Sequence, residues 1–204
     1  MASEDSLAPP ALSATFAAMS GPVQIIVLNG AGSAGKSSTA RALQEICGRP
    51  FLHVAMDAFL DMLPAAMFGH AEGMIFEKLD DGGKPSVAIR TGPVMDAAMR
   101  GMRRAIVAMA GQGNNLIVDD VILDPADEAD YRALLLGFET RFVGLVAPLE
   151  ALEARELARG DREIGLARWQ YDRVHKGRVY DLEIDTAATT PAQNAVMIRA
   201  AFGL

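Results

Sequence analysis

The stretch GAGSAGKS, from Gly30 to Ser37, contains the residues best suited to chemistry in this chain of 204 residues. It matches the phosphate-binding pattern G-x-x-x-x-G-K-[ST] at every required position. The glycines let successive backbone N–H groups turn toward a phosphate, and a following helix adds the positive end of its dipole. Lys36 is expected to reach the β- and γ-phosphates, and the Ser37 hydroxyl to bind Mg²⁺. The stretch predicts a nucleoside triphosphate site whose contacts are Gly30, Ala31, Gly32, Ser33, Ala34, Gly35, Lys36, Ser37 and Ser38.

A carboxylate after a second apolar run suits phosphoryl transfer. That reaction needs the acceptor hydroxyl aligned and its proton accepted. Asp57 follows the run 51–56 directly and is the candidate base, although its position also suits the N-cap of a helix. The segment after it is expected to form one wall of an acceptor pocket, and Phe59 and Met62 are predicted to contact the acceptor there.

Two further carboxylates, Asp119 and Asp120, end the apolar run 115–120. Their side chains point to opposite faces if both lie in a strand, so only one is expected to face the phosphates and help Ser37 hold the metal. Asp120 is slightly favoured because it lies nearer the strand end, and it is also counted among the acceptor contacts. The choice stays open, and the alternative is that both aspartates simply cap the following turn.

Three arginines, Arg155, Arg159 and Arg162, lie within one short stretch interrupted by Gly160. Arg155 and Arg159 are four residues apart, so they share a helix face and can point at one anion. Guanidinium groups suit phosphate and stabilise charge that develops on a transferring group. We therefore expect a lid over residues 153–168 that closes on the nucleotide, whereas the alternative is a solvated helix face.

Strand-like and helical segments alternate along the chain, which is typical of an α/β fold with a parallel sheet covered on both faces. Short apolar or alternating runs predict five strands, at 23–28, 51–56, 115–120, 142–146 and 180–185. Right-handed crossovers place the carboxyl ends of all strands at one edge, where the phosphate loop and the aspartates would gather. Residues 58–110 are expected to be a mainly helical acceptor-pocket insertion, with an alternation near Val87 that suits a hairpin arm.

Composition limits the classes of partner. The net charge of −7 and the absence of a basic stripe argue against nucleic acid, and no apolar run is long enough for a membrane span. The acidic N-terminus lacks the basic start of a secretory signal, and the single Cys47 fits a reducing compartment, so a cytoplasmic protein is expected. Residues 1–21 are expected to be a flexible extension before a single domain at 22–204. The oligomeric state stays open.

Several segments together resemble the chloramphenicol phosphotransferase family. They are Leu28-Asn29-Gly30, Ser33 to Ser37, Met56-Asp57, Asp119-Asp120-Val121 and Ala158-Arg159-Gly160-Asp161-Arg162. The resemblance implies a small P-loop kinase, a three-layer sandwich that uses ATP and Mg²⁺. It further implies transfer of the γ-phosphate to a primary hydroxyl of chloramphenicol, which inactivates the antibiotic. In the family the acid after the second strand is the base, which corresponds to Asp57, and the lid arginines correspond to the segment from Arg155 to Arg162.

Other functions stay open beside this one. A related small-molecule kinase with another acceptor would have the same nucleotide-site pattern. A regulatory NTP-binding protein would need a water-positioning group and a partner surface, for which the sequence offers no candidate. A nucleotide or sugar kinase would need extra arginines in the acceptor region, where only Lys84 and Arg90 are basic, so a small, neutral, hydroxylated acceptor is favoured.

Overall fold

A computed structural model describes residues 21–160 and 163–204. The predicted extension at 1–21 lies outside the described residues except for Gly21, and Arg162 also lies outside them. None of the described helices is long and apolar enough to cross a bilayer.

The centre of the fold is a sheet of five strands in the order β2-β5-β1-β6-β7, in which every neighbouring pair is parallel. The strands are β1 (Gln24–Asn29), β2 (Phe51–Ala55), β5 (Asn115–Asp120), β6 (Glu139–Val146) and β7 (Leu182–Asp185). This confirms the predicted α/β fold with a five-stranded parallel sheet. β1 lies in the middle, so the loop that follows it is flanked by strands on both sides.

Helices cover both faces of the sheet. They are α1 (Lys36–Ile46), α2 (Met56–Leu60), α3 (Pro93–Gly111), α4 (Pro125–Leu134), α5 (Leu149–Arg159), α6 (Leu166–Val174) and α7 (Pro191–Phe202). Alternate residues of β1 enter different cores, because successive strand side chains point to opposite faces. Ile26 and Leu28 pack with α1, α5, α6 and α7, whereas Ile25 and Val27 pack with α3 and α4. The result is the three-layer arrangement.

An antiparallel hairpin corrects the expectation of a mainly helical insertion at 58–110. It consists of β3 (Met74–Asp81) and β4 (Lys84–Thr91), joined by Gly82 and Gly83, both with positive φ as a two-residue turn of this kind requires. The alternation near Val87 was the sequence signal for it. The helix predicted after Asp57 is also shorter than expected: α2 ends at Leu60, and only a 3-10 turn, Ala65–Met67, follows Pro64.

The hairpin lies against the segment between α5 and α6. The Val87 N–H donates to the Gly165 carbonyl at 3.0 Å. Arg168 forms an ion pair with Asp81 at 3.1 Å and another with Glu153, so one guanidinium joins the hairpin, α5 and α6. These contacts connect the hairpin to the part of the chain that was predicted to be a lid.

Asn29, the last residue of β1, fastens the sheet edge that precedes the phosphate loop. Its side-chain amide donates to the Val174 carbonyl at 3.0 Å and to the Tyr180 hydroxyl at 2.8 Å. The side-chain oxygen of Asn29, Oδ1, accepts the Ile122 N–H at 2.8 Å. Both N–H groups of this buried amide and one of the two lone pairs on its oxygen are used. These bonds join β1 to three other segments at the edge where the strands end.

A substitution at Gly30 tests how tightly this edge is packed. A Cβ at Gly30 would lie 2.6 Å from the backbone oxygen of Leu145 and 3.2 Å from the Cβ of Ala34. We expect Gly30→Ala to lower the free energy of unfolding by about 2 kcal/mol, because backbone must move to relieve the overlap. Gly48→Ala, where a Cβ meets no atom within 4 Å, should change it by less than about 1 kcal/mol. Urea denaturation of both variants checks this, and equal midpoints would contradict it.

Candidate active site

The phosphate loop connects β1 to α1 through two residues in the left-handed conformation, Ser33 with φ 63° and Gly35 with φ 88°. A non-glycine residue in that region is uncommon and indicates a constrained functional backbone. Lys36 starts α1, and its Nζ donates to the carbonyls of Gly30 and Ala31 at 2.9 and 3.0 Å. The loop therefore wraps a pocket that is lined by Gly32, Ser33, Gly35, Lys36, Ser37, Ser38, Met56, Asp57, Asp119, Val121 and Arg159.

Ser37 and Asp119 form the oxygen pair that suits a metal. The Ser37 hydroxyl donates to Asp119 Oδ2 at 2.6 Å, and His53 Nε2 lies 3.4 Å from the same oxygen. Burial acts to raise the pKa of Asp119, but the contact with His53 and the charge of Lys36 outweigh it and lower the pKa below its usual value. A hydroxyl beside an ionised carboxylate provides hard oxygen ligands, which fit Mg²⁺.

Asp120 occupies a different environment from its neighbour. Its Oδ2 accepts the Tyr131 hydroxyl at 2.7 Å and its Oδ1 accepts the Val121 N–H at 2.7 Å. Burial raises the pKa of Asp120, although these two hydrogen bonds oppose it. Asp120 is absent from the lining of the phosphate pocket and lines the neighbouring cavity instead. The structure therefore brings Asp119, and not the slightly favoured Asp120, into the phosphate pocket beside Ser37.

Asp57 lies in the first turn of α2 and lines the phosphate pocket beside the loop. The N-cap of this helix is Ala55, so Asp57 is not the cap that was the alternative interpretation. The two residues predicted to contact an acceptor beside it lie elsewhere: Phe59 packs against the core under α3, and the Met62 side chain is exposed. Neither is among the side chains that line the acceptor cavity described below.

The arginines of α5 lie beside the loop, with different roles. The Arg155 guanidinium donates to the Thr186 carbonyl and hydroxyl at 2.6 and 3.1 Å, and reaches the Ser33 carbonyl at 3.5 Å. It thereby fastens α5 to the loop and to the end of β7. Arg159 lines both the phosphate pocket and the adjoining cavity, so it is the described arginine placed over both.

A cavity of about 280 Å³ adjoins the phosphate pocket on the side of α5 and α7. It shares Ser33, Gly35, Ser38 and Arg159 with that pocket. The remaining lining comes from Ala34, Arg155, Thr186, Thr189, Pro191 and Asn194. Its position next to the loop and its mixture of polar and apolar groups suit the nucleoside part of a nucleotide, so we call it the nucleoside cavity.

A larger cavity of about 670 Å³ adjoins the phosphate pocket on the side of α3 and α4. Met56 and Val121 line both spaces, so the two are neighbours across these side chains. The apolar part of the wall comes mainly from Met56, Leu60, Met74, Ile89, Met95, Met99, Met102 and Trp169. We call this space the acceptor cavity, because it is large enough for a small organic molecule and lies next to the place where the terminal phosphate would be.

The comparison with known proteins agrees with this geometry. A family model described as chloramphenicol phosphotransferase-like protein matches residues 23–203. The chain belongs to this family. Two relatives from strains of Mycobacterium tuberculosis, each provisionally named an O-phosphotransferase, are 34% identical over 181 residues, which is 85% of this chain and 80% of theirs.

Solved structures show that this member of the chloramphenicol phosphotransferase-like family has a P-loop kinase fold, as predicted. An APS kinase from Mycobacterium tuberculosis, solved with AMPPNP and APS, has a TM-score of 0.64 at 14% identity and covers 90% of this chain and 99% of its own. A tunicamycin resistance protein from Deinococcus radiodurans has a TM-score of 0.60 at 20% identity, with coverages of 89% and 96%. A gluconokinase from Sinorhizobium meliloti has a TM-score of 0.56 at 19% identity, with coverages of 89% and 95%.

Gln170 on α6 is a site residue that sequence reasoning missed in this family member. Its Oε1 accepts the Gly32 N–H at 2.6 Å, and its side chain lines the acceptor cavity. It therefore connects the phosphate loop with the space beyond it. No periodicity marks Gln170, because its importance depends on where α6 crosses the loop. The methionines of α3 do carry a sequence signal, because the helical spacing of Met95, Met99 and Met102 places them on one face of the helix.

Glu156 holds the segment between α5 and α6 in place. Its carboxylate is buried and accepts the N–H groups of Gly165 and Ala167, each at 2.8 Å. These are backbone donors at the start of α6, which carries Gln170. One acidic side chain thus determines where the segment over the site begins its next helix.

We expect Glu156→Ala to lower the free energy of unfolding by about 2 kcal/mol or more, because two buried N–H groups lose their acceptor. Glu150→Ala, on the exposed first turn of the same helix, is the matched control and should cost a few tenths, on the order of 0.5 kcal/mol. Urea denaturation measures the energies. Hydrogen exchange should also accelerate at Gly165 and Ala167, and unchanged exchange there would contradict the role of Glu156.

Proposed function

We propose that this chain is an ATP-dependent O-phosphotransferase that moves the γ-phosphate of ATP to a hydroxyl of a small molecule. The observation that carries the proposal is the adjacency of two spaces. The phosphate pocket and the acceptor cavity share Met56 and Val121, and Asp57 lines the first of them at this junction. A protein that transferred the phosphate only to water would not need a second cavity of this size beside the phosphate pocket. The family membership and the provisional names of the mycobacterial relatives support the same reaction class.

In this mechanism the phosphate loop holds the triphosphate of ATP. The loop N–H groups would donate to the phosphate oxygens. Lys36, which donates to the carbonyls of Gly30 and Ala31, is placed to exchange these partners for phosphate. Ser37 and Asp119 would hold Mg²⁺, which when bound neutralises phosphate charge. Arg159, which lines both the phosphate pocket and the nucleoside cavity, would stabilise the charge that develops on the transferring group, with residues 153–168, including Arg162, forming a lid.

Asp57 would act as the base. The acceptor hydroxyl gives its proton to the Asp57 carboxylate while its oxygen forms a bond to the γ-phosphorus. The bond between that phosphorus and the bridging oxygen breaks, and ADP leaves. Arg155 contributes indirectly, because its bonds to Thr186 and Ser33 position the loop under α5.

The acceptor proposed first is chloramphenicol or a similar hydroxylated compound, whose phosphorylation would inactivate an antibiotic. The alternative is another small metabolite or antibiotic on the same fold. A regulatory NTP-binding protein is less favoured, since the acceptor cavity would then have no use. We propose no nucleic-acid partner, because the net charge is −7, and a cytoplasmic location in keeping with its ATP requirement.

An acceptor screen tests the proposed function. The purified chain is incubated with Mg·ATP and single hydroxylated compounds of neutral, cationic and anionic charge, with chloramphenicol included. ADP release is followed, and products are identified by mass spectrometry. We expect at least one compound to increase ADP release and to gain one phosphate group. ADP release that no compound increases would favour the regulatory alternative.

The base assignment gives a second test. Asp57→Asn should lower acceptor-dependent turnover at least about 100-fold, because general base catalysis contributes on the order of 10²–10⁴. The affinity for ATP, measured by titration, should change little. Asp61→Asn, four residues later beyond the end of α2, is the control and should keep turnover near that of the unmodified chain. Equal turnover in both variants would disprove the assignment.

The two adjacent aspartates give a third test. Asp119→Asn should raise the Mg²⁺ concentration that supports half-maximal turnover by about tenfold or more, since it removes a charged ligand beside Ser37. Asp120→Asn should leave that concentration nearly unchanged, because its carboxylate faces Tyr131. A larger effect at Asp120 would restore the preference drawn from the sequence.

A further inference from the structure

The acceptor cavity has more negative than positive side chains. Five carboxylates and three guanidinium groups line it. The carboxylates belong to Asp96, Asp120, Asp124, Asp127 and Asp130, and the guanidinium groups belong to Arg100, Arg103 and Arg104. The excess persists even when Asp120, whose oxygens accept the Tyr131 hydroxyl and the Val121 N–H, is left out of the count. This charge balance bears on the neutral acceptor that the sequence favoured.

Most of the positive charge is already neutralised within the wall. Arg103 Nη2 lies 2.9 Å from Asp127 Oδ1, and Arg103 Nε donates to Asp130 Oδ2 at 2.6 Å. Arg104 Nη1 lies 3.3 Å from the same Asp130 oxygen. These side chains form a compensated group of two acids and two bases. A ligand in the cavity therefore meets mainly the remaining charges.

The remaining charges are Asp96, Asp120 and Asp124 against Arg100. Asp96 and Arg100 are four residues apart on α3, so the arginine lies close to an opposing charge on its own helix. Asp124 is the N-cap of α4, where its Oδ1 accepts the Ala126 N–H. The lining consequently favours a cation over an anion.

The pKa of Asp127 also reflects the acidic side chains around it. Burial raises the pKa of Asp127 and Arg103 lowers it, but the nearby charges of Asp124, Asp130 and Asp96 raise it again. The pKa stays above its ordinary value although a guanidinium lies 2.9 Å away. The carboxylates thus act on one another across this wall.

Gln170 independently indicates that a ligand enters this space. The side chain is only 3% exposed and lines the cavity. Its Oε1 is used by Gly32, whereas its Nε2 forms no hydrogen bond within residues 21–160 and 163–204. Nε2 is accessible from the cavity, where an oxygen of a bound molecule can accept its hydrogen bond. That oxygen would lie next to the phosphate loop, because Gln170 is bonded to it.

We propose that the acceptor of this chain is an amino alcohol with an apolar body. Its hydroxyl oxygen lies near Gln170 and Asp57, its body contacts the methionines of the cavity, and its ammonium group lies near Asp96 and Asp124. The inference rests on the proposed phosphotransferase function, and within that function it favours a cationic amino alcohol over neutral chloramphenicol. Methionine side chains adapt to irregular apolar shapes, which suits a bulky body between the two polar ends.

Matched pairs of compounds test the charge. One pair is the nitrophenyl aminopropanediol obtained by deacylating chloramphenicol and the N-acetyl amide of that amine. The other pair is glucosamine and N-acetylglucosamine. Within each pair the hydroxyls are the same and the positive charge is present or absent. With Mg·ATP, kcat/KM for an amine is expected to exceed that for its amide at least about fivefold, an effect in the range of one partly solvated charge pair.

Three substitutions locate the effect. Asp96→Asn and Asp124→Asn should each reduce the amine-to-amide ratio of kcat/KM about three- to tenfold, and asparagine preserves the N-cap of α4. Arg100→Gln should increase that ratio. Asp172→Asn, on the exposed side of α6 outside the cavity lining, is the matched control and should leave it unchanged. Thermal unfolding of each variant confirms that the chain remains folded.

The outcomes separate the two proposals. A preference for the amines that Asp96→Asn and Asp124→Asn reduce supports the inference. Active acceptors that are only neutral or anionic, in the pairs or in the acceptor screen, would overturn it and leave the phosphotransferase function intact. An amine preference unchanged in both variants would also overturn the assignment to this wall. If no hydroxylated compound increases ADP release, the proposed function itself fails, and the inference fails with it.

Discussion

The site depends on how tightly the chain turns from the central strand into α1. Gly30 leaves no room for a Cβ beside the Leu145 carbonyl, and Asn29 just before it is bonded to three separate segments. Because the strand end is held on all sides, the loop amides have a fixed direction before any phosphate arrives. Preorganised donors of this kind stabilise charge without reorganising during the reaction. The nucleoside cavity is lined by Ser33, Ala34 and Gly35 of this turn, and the acceptor cavity is linked to the turn through Gln170.

Two adjacent aspartates show how one strand end supplies two environments. The pleat directs Asp119 toward Ser37 and Asp120 toward Tyr131. Positive and hydrogen-bonding neighbours lower the pKa of Asp119 despite burial, whereas burial prevails at Asp120 and raises its pKa. The lowered pKa favours the ionised form of the carboxylate that lines the phosphate pocket, and such an oxygen ligand would suit a metal. Its neighbour belongs to the wall that an acceptor would contact.

The segment from α5 to the start of α6, which lies beside the site, is held by buried and charged groups and not by apolar packing alone. Glu156 accepts two backbone amides at the start of α6, and Arg155 joins α5 to the loop and to Thr186. Arg168 connects this region to the hairpin through Asp81. The hairpin also lines the acceptor cavity with Met74 and Ile89. A movement of this segment would therefore alter the phosphate pocket and the acceptor cavity together.

Features that depend on local order could be predicted from the sequence. Glycines followed by Lys36 and Ser37 indicated the phosphate loop, and apolar runs indicated the five parallel strands, because loop geometry and strand burial are encoded in consecutive residues. The tertiary structure alone decided which aspartate faces Ser37, that Gln170 reaches Gly32, and that Phe59 and Met62 lie outside the acceptor cavity. Those outcomes depend on where helices cross and how strands pair, which no single segment specifies. The charge of the cavity was hidden for the same reason, since its acids come from α3, β5 and α4 and meet only after folding.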